Sequence, residues 1–303
     1  MKRWLVICLL SLANTAQAEI WNFGLIGDTP YSAEERRQLP LMLQAINHYP
    51  MAFIAHVGDF KNGQDRCDDA LFIDRQKLFN TSQAPFIFIP GDNEWSDCER
   101  LSNGAYDPLE RLNKLRMLFW PDNFSLGQKK LTLERQAGNY SEHSRFHIGP
   151  VLFVTLNIPG GDNNFGLREE PSREFTARNP VVLAWLNDSF ALARREKLSG
   201  IVLLFQADPH FKRFSQGLAH RGYQDFLNSL SAETQNFMGQ VVAVHGDSHN
   251  SRIDHPLRDA QGKKLPNFTR VETFGYPIMG WTRGIIDTDS PTPIRFEANP
   301  WSQ

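Results

Sequence analysis

Asn22–Asp28 (NFGLIGD), Ala52–Asp59 (AFIAHVGD), Pro85–Asp92 (PFIFIPGD) and Val241–Asp247 (VVAVHGD) share one grammar: a short apolar run closed by Gly-Asp. Gly-Asp occurs five times, at 27–28, 58–59, 91–92, 161–162 and 246–247, where composition predicts about 1.3. Four of the five end an apolar run, so position is selected as well as pairing. Amphipathic stretches separate the first three runs. Ala33 to His48, Asp68 to Asn80 and Pro108 to Phe119 read as helices between strands Ile20 to Gly27, Ala52 to Gly58 and Pro85 to Pro90. This alternation implies parallel strands with helical crossovers. In a parallel sheet the carboxyl ends of the strands share one edge, where ligands bind. Asp28, Asp59, Asp92 and Asp247 are therefore expected to converge there.

Farther along, Asn139 to Phe146 and Val151 to Ile158 read as a hairpin, with His147 to Pro150 as its turn. Asn157 to Ser172 is a Gly/Asn/Pro-rich loop of the kind that carries function. A helix is expected over Val181 to Lys197, a strand over Ile201 to Gln206, a helix over Tyr223 to Leu230 and a strand over Val241 to His245. Strands at Arg270 to Phe274, Gly284 to Asp287 and Ile294 to Glu297 complete the chain. The expectation is one α/β domain, 19–303, with two packed sheets and helices outside.

Composition bounds the function. With 41% hydrophobic and 22% charged residues, the 303-residue chain has an ordinary globular make-up. A net charge of −2 gives no nucleic-acid-binding signature. Mean hydropathy of −0.41, with no apolar run near 20 residues, predicts no membrane span. Residues 1–18 have the three-part plan of a signal peptide: Lys2 and Arg3, an apolar stretch from Trp4 to Ala13, then Ala16-Gln17-Ala18. A secreted or periplasmic chain starting at Glu19 follows, and loss of Lys2 and Arg3 takes its charge from −2 to −4. Cys67 and Cys98 then remain, in loops after Asp59 and Asp92. In an oxidising compartment they are expected to close a disulfide; the bland alternative is two buried thiols.

Converging carboxylates repel one another and take up protons unless a cation compensates them. Oxygen donors suit Mg, Ca or Mn, and one imidazole, His249, adds affinity for Mn, Fe or Zn.

The blocks Gly27-Asp28-Thr29-Pro30, Gly58-Asp59-Phe60-Lys61, Gly91-Asp92-Asn93-Glu94, Gln206-Ala207-Asp208-Pro209 and Gly246-Asp247-Ser248-His249 resemble, in order and spacing, those of the calcineurin-like metallophosphoesterase superfamily. The family pattern reads Asp-x-His, Gly-Asp-x-x, Gly-Asn-His-Asp/Glu, a lone His after a strand, and Gly-His-x-His. The resemblance runs from Ile20 to about Asp254 and implies a four-layer αββα sandwich of two mixed β-sheets. It also implies one or two divalent metal ions that orient a phosphate ester and activate a water for in-line attack.

Carried over by position, Asp28 and His249 bind one metal and Asp59 bridges two. Asp92 stands where the family has a ligating Asn, and Asp247 where it has the first His of the last block. Gln206, or with the alignment slipped Asp208, replaces the lone His, Asn93 replaces the His that assists the leaving group, and Glu94 keeps the acidic fourth position. Pro30 removes one ligand outright. His210 is a candidate substitute acid, at least as readily a surface His, and Lys61, following the second block, could contact phosphate but reads more commonly as an exposed lysine. The implied activity is metal-dependent hydrolysis of a phosphate ester in a phosphorylated small molecule. Because imidazoles have given way to oxygen donors, two readings stay open: a centre suited to a harder metal, or a degenerate scaffold that binds metal or ligand without catalysis.

Overall fold

The computed structural model describes residues 19–218, 220–259 and 261–302; the signal-peptide reading of 1–18 lies outside them. The strands are β1 (Ile20–Ile26), β2 (Met51–His56), β3 (Phe86–Phe88), β4 (Glu134–Arg135), β5 (Ser144–Ile148), β6 (Val151–Thr155), β7 (Gly200–Leu204), β8 (Gln240–His245), β9 (Arg252–Asp254), β10 (Phe268–Glu272), β11 (Gly280–Asp287) and β12 (Ile294–Pro300). The helices are α1 (Ala33–Ile46), α2 (Asp69–Phe79), α3 (Pro108–Phe119), the turn α4 (Gly160–Asn163), α5 (Arg173–Arg195), α6 (Phe211–Phe214) and α7 (Arg221–Gln235).

The strands form two mixed sheets, one ordered β12-β11-β1-β2-β3 and one ordered β4-β5-β6-β7-β8-β10-β9. In the first, β1, β2 and β3 are parallel, with Ile26 opposite His56 and His56 opposite Phe88. The three Gly-Asp turns that follow therefore leave the same edge. In the second, β6, β7, β8 and β10 are parallel, so Gly246-Asp247 leaves its corresponding edge.

Three apolar layers hold this together. Leu39, Met42, Phe72, Phe79 and Phe119 pack α1–α3 on the first sheet. Trp185, Leu186, Phe190, Phe226 and Leu230 pack α5 and α7 on the second. Phe23, Phe53, Phe153, Val202 and Val244 fill the space between the sheets. There Phe23 stacks on Phe53 at 5.3 Å and the Phe153 ring meets both edge-on, at 5.0 and 4.8 Å. This is the expected four-layer sandwich. Strands covered on both faces need no polar alternation, which is why their sequences read as unbroken apolar runs.

Some boundaries differ from expectation. Helix α5 starts at Arg173, capped by the Ser172 hydroxyl accepting from Phe175 N, and accommodates Pro180 internally. A proline in a helix interior usually marks a break; here the buried face of a 23-residue helix outweighs it. Residues 139–143 form a turn closed by His143 N donating to Tyr140 O, and the strand begins only at Ser144. The short strands β4 and β9 carry too few residues for a periodic signal.

Candidate metal centre

The centre is built on strained turns. Asp28, Asp59, Asp247 and His249 adopt left-handed backbone, with φ of 48°, 60°, 76° and 57°. Aspartate tolerates this region better than most residues, but each instance still costs about 1 kcal/mol and persists only where contacts over-determine it. At Asp28, its N–H donates to Gly58 O at 3.1 Å and its carbonyl accepts from Tyr276 N. From behind, buried His56 meets Thr29 O through Nε2 at 2.6 Å and accepts from Gly58 N through Nδ1.

Asp28 is fully buried. Both its oxygens accept from Asp247 N at 3.1 Å, and His249 Nε2 lies 3.5 Å from Oδ1. His249 Nδ1 donates to Tyr276 O at 2.8 Å, which leaves Nε2 as the unprotonated nitrogen of the neutral ring, on the side of Asp28. Asp59 Oδ2 accepts from Tyr31 Oη at 3.0 Å, Asn93 Nδ2 at 2.9 Å and Gln206 Nε2 at 3.2 Å. The same Gln206 nitrogen donates to Asp92 Oδ1 at 3.1 Å. Asp247 Oδ2 accepts from Asp208 N at 2.8 Å. Gly160 closes the group: a Cβ there would sit 2.6 Å from Asp92 Oδ2 and 3.1 Å from Asp247 Oδ1.

Burial, and then the neighbouring acids, raise the proton affinity of this set. Asp59 is held well above the usual carboxylate range by desolvation and by Asp92, Glu94, Asp28 and Asp247. Burial raises Asp28 against the pull of His249. Asp92 and Asp247 are pushed up to about 7, by burial first, with Asp247 acting on Asp92 and Asp28 on Asp247. Burial also lifts Glu94 to about 7. Among the described residues no arginine bridges these five carboxyls; Lys61 lies near Glu94, and Asp28 raises the proton affinity of His249, so that without a metal the imidazole is drawn toward its protonated form beside Asp28.

The structure thus brings together Asp28, Asp59, Asp92, Asp247, His249, Asn93 and Gln206, and refines the rest. Gln206 presents its NH2 group to the acids, because its oxygen accepts from Gly160 N at 2.5 Å; in this orientation it is a donor and not a ligand. Glu94 is fully buried behind the centre, accepting from Gly91 N, Asp59 N and Phe60 N at 2.8, 3.0 and 2.5 Å. It clamps two Gly-Asp turns together and does not face a substrate. Lys61 is fully buried, with Nζ on Asn62 O at 3.0 Å, and the expectation of an exposed lysine is corrected. His210 stands off the cluster, its side chain 42% exposed, 3.6 Å from Asp208 Oδ2. The Cys67–Cys98 disulfide is formed, tying the loops after Asp59 and Asp92. Sequence reading missed Tyr31, which lies in a turn with no periodic signal, and Gly160, one residue before a Gly-Asp pair that ends no strand.

As a donor set, these residues fit a divalent cation: crowded, desolvated oxygens with one correctly oriented imidazole. Their present rotamers are satisfied by amides, and among the described residues no three His, Cys, Asp or Glu side chains meet at a single point in ligating geometry. An ion between Asp59 and Asp92 requires the Gln206 amide to turn.

No protein-family model and no curated sequence matches the chain. Solved structures do. A dimetal phosphatase from Danio rerio superposes with a TM-score of 0.56 at 13% identity, over 93% of this chain and 99% of the other. The chain has the metallophosphoesterase fold. A purple acid phosphatase from yellow lupin (Lupinus luteus) seeds superposes with a TM-score of 0.52 at 11% identity; 93% of this chain matches about half, 52%, of that one. At such identities the likeness concerns this fold, and the chemistry must be argued from the residues.

Proposed function

We propose that the protein is an exported, metal-dependent phosphoesterase that hydrolyses a phosphate ester of a small molecule. One observation carries this: Asp28 and Asp59, both buried, and Asp92 and Asp247, partly buried, gather at the strand ends of a metallophosphoesterase fold, and among the described residues no arginine pairs with them. Holding these four together without a cation costs stability through their mutual repulsion. Export is supported by the leader-like residues 2–18 and by the disulfide.

Asp28, His249 and Asp247 would hold one divalent ion, and Asp59 with Asp92 a second, Asp59 being shared. The bound metal supplies Lewis-acid activation of phosphate and water. The chain's own groups do the rest. Asn93 donates from Nδ2, and Tyr31 keeps its phenolic proton because burial and the surrounding acids raise its pKa. These two orient oxygens, but an amide cannot protonate a leaving group. His210, half-exposed beside Asp208 and off the cluster, is the candidate proton carrier. Glu94 and His56 keep the turns in register.

The test is metal analysis of purified protein, followed by hydrolysis of p-nitrophenyl phosphate and its bis ester with Mn, Fe, Zn, Mg or Ca supplied in turn. Turnover that is lost in folded Asp59→Asn supports the proposal. Bound metal with no turnover in any of the five would assign a binding role instead, and absence of both metal and turnover would end it.

A further inference from the structure

Beside the centre lies a second cavity of about 770 Å³, lined by His210, Lys212, Arg213, Arg252, Arg258 and Arg270 together with Asp208 and Asp254. Its charge is lopsided in a chain whose acids outnumber its bases. Both carboxylates are already engaged: Asp208 accepts from Arg252 Nη2 at 3.0 Å, and Asp254 forms a two-point pair with Arg270. Lys212, Arg213 and Arg258 have no carboxylate partner among the described residues. Arg213 Nε donates to Leu218 O at 3.2 Å and Arg258 Nη1 to Gly262 O at 2.9 Å, so the two guanidinium groups are held in place with donors to spare. Arg252 also reaches Glu272, at 2.6 Å.

The cleft and the carboxylate cluster share a wall. Asp208 N donates to Asp247 Oδ2, while the Asp208 carboxylate and His210 line the cleft. A ligand can therefore place one group at the acids and another among the bases. Guanidinium forks match phosphate oxygens in geometry as well as charge.

We propose that this cleft seats a second phosphate group, making the substrate a small molecule that carries two or more phosphates. The proposal deepens the phosphoesterase reading and rests on it for the word substrate; the anion seat itself needs no turnover. A nucleic-acid strand is disfavoured, because the bases fill one pocket and do not form a track along the surface.

The test uses inorganic tripolyphosphate and the mature chain in EDTA, followed by calorimetric titration. The wild type should bind, and the triple variant Lys212→Ala/Arg213→Ala/Arg258→Ala should bind at least about tenfold more weakly, since a charge-assisted contact is worth a decade of affinity or more. The milder pair Arg213→Gln/Arg258→Gln covers the case in which the triple variant does not fold. With metal restored, kcat/KM for an ester that carries a second phosphate, fructose 1,6-bisphosphate, should fall at least as far, through KM, while that for p-nitrophenyl phosphate stays within twofold. Equal affinity in wild type and variants, or an equal loss on both substrates, overturns the proposal. Tripolyphosphate binding without hydrolysis of either ester would keep the seat and refute the phosphoesterase reading.

Discussion

Asp59→Asn is expected to stabilise the metal-free protein while removing its response to metal. Asp59 is 3% exposed, and its Oδ2 shares the Gln206 nitrogen with Asp92 Oδ1 at 3.2 and 3.1 Å. The two carboxylate oxygens therefore lie no more than about 6 Å apart; at an effective dielectric of about 20 their repulsion is about 3 kcal/mol. The chain bears this either as repulsion or as a proton taken up against bulk pH 8, and a neutral amide removes both. Against it stands the weakening of four hydrogen bonds, from Tyr31, Gln206 and both the side chain and the backbone N–H of Asn93, about 0.5 kcal/mol each once the acceptor loses its charge. The net is a gain of about 1 kcal/mol, or about 2 °C in Tm for a domain of this size. Scanning calorimetry in EDTA at pH 8, repeated with Mn²⁺, checks it: the variant should melt higher than wild type without metal and show no metal-induced rise. A variant that melts lower in EDTA, or that still responds to Mn²⁺, would refute the crowding argument.

The same physics sets a pH dependence. Asp92, Asp247 and Glu94 titrate at about 7 in the folded chain, above their unfolded values. Metal-free stability should therefore rise as pH falls from 8 toward 6 and decline as pH rises through 7, a trend that urea titrations in EDTA would reveal and that excess Mn²⁺ should flatten. Gly160→Ala drives a Cβ onto Asp92 and should weaken metal binding by tenfold or more, at about 1–3 kcal/mol of overpacking, as read by competition with a metal indicator and by melting. Arg178, 1% exposed, donates to Asn157 O, Asn163 O, Asn163 Oδ1 and Glu174; Arg178→Met should cost about 3–5 kcal/mol in a denaturant titration and loosen the Gly160 loop. Reducing Cys67–Cys98, 31 residues apart, should cost about 3–4 kcal/mol by loop-closure entropy, seen as a lower melting point in dithiothreitol.

Much of the architecture was legible because it rests on local rules. Four apolar runs closed by Gly-Asp, with helices between, lead to parallel strands and one acidic edge, and Cys67 with Cys98 follows from the same two loops. Boundaries failed where tertiary burial overruled a local signal, as at Pro180 within α5. Side-chain roles failed at longer range. Lys61 is buried because the loops after β2 and β3 close over it. Glu94 turns inward because the N–H groups of Asp59 and Phe60, more than 30 residues away in sequence, need an acceptor.

What the linear order of residues decided for this protein is which acids reach the rim, since strand direction and the Gly-Asp turns are encoded within a few neighbours each. What only the folded chain decided is how those acids are answered. Gln206 turns its NH2 toward Asp59 and Asp92 because Gly160 N, 46 residues earlier, claims its oxygen. Tyr31 and Asn93 reach Asp59 across 28 and 34 residues. A carboxylate's charge is a property of its residue, but its compensation depends on the groups that packing places within hydrogen-bonding distance.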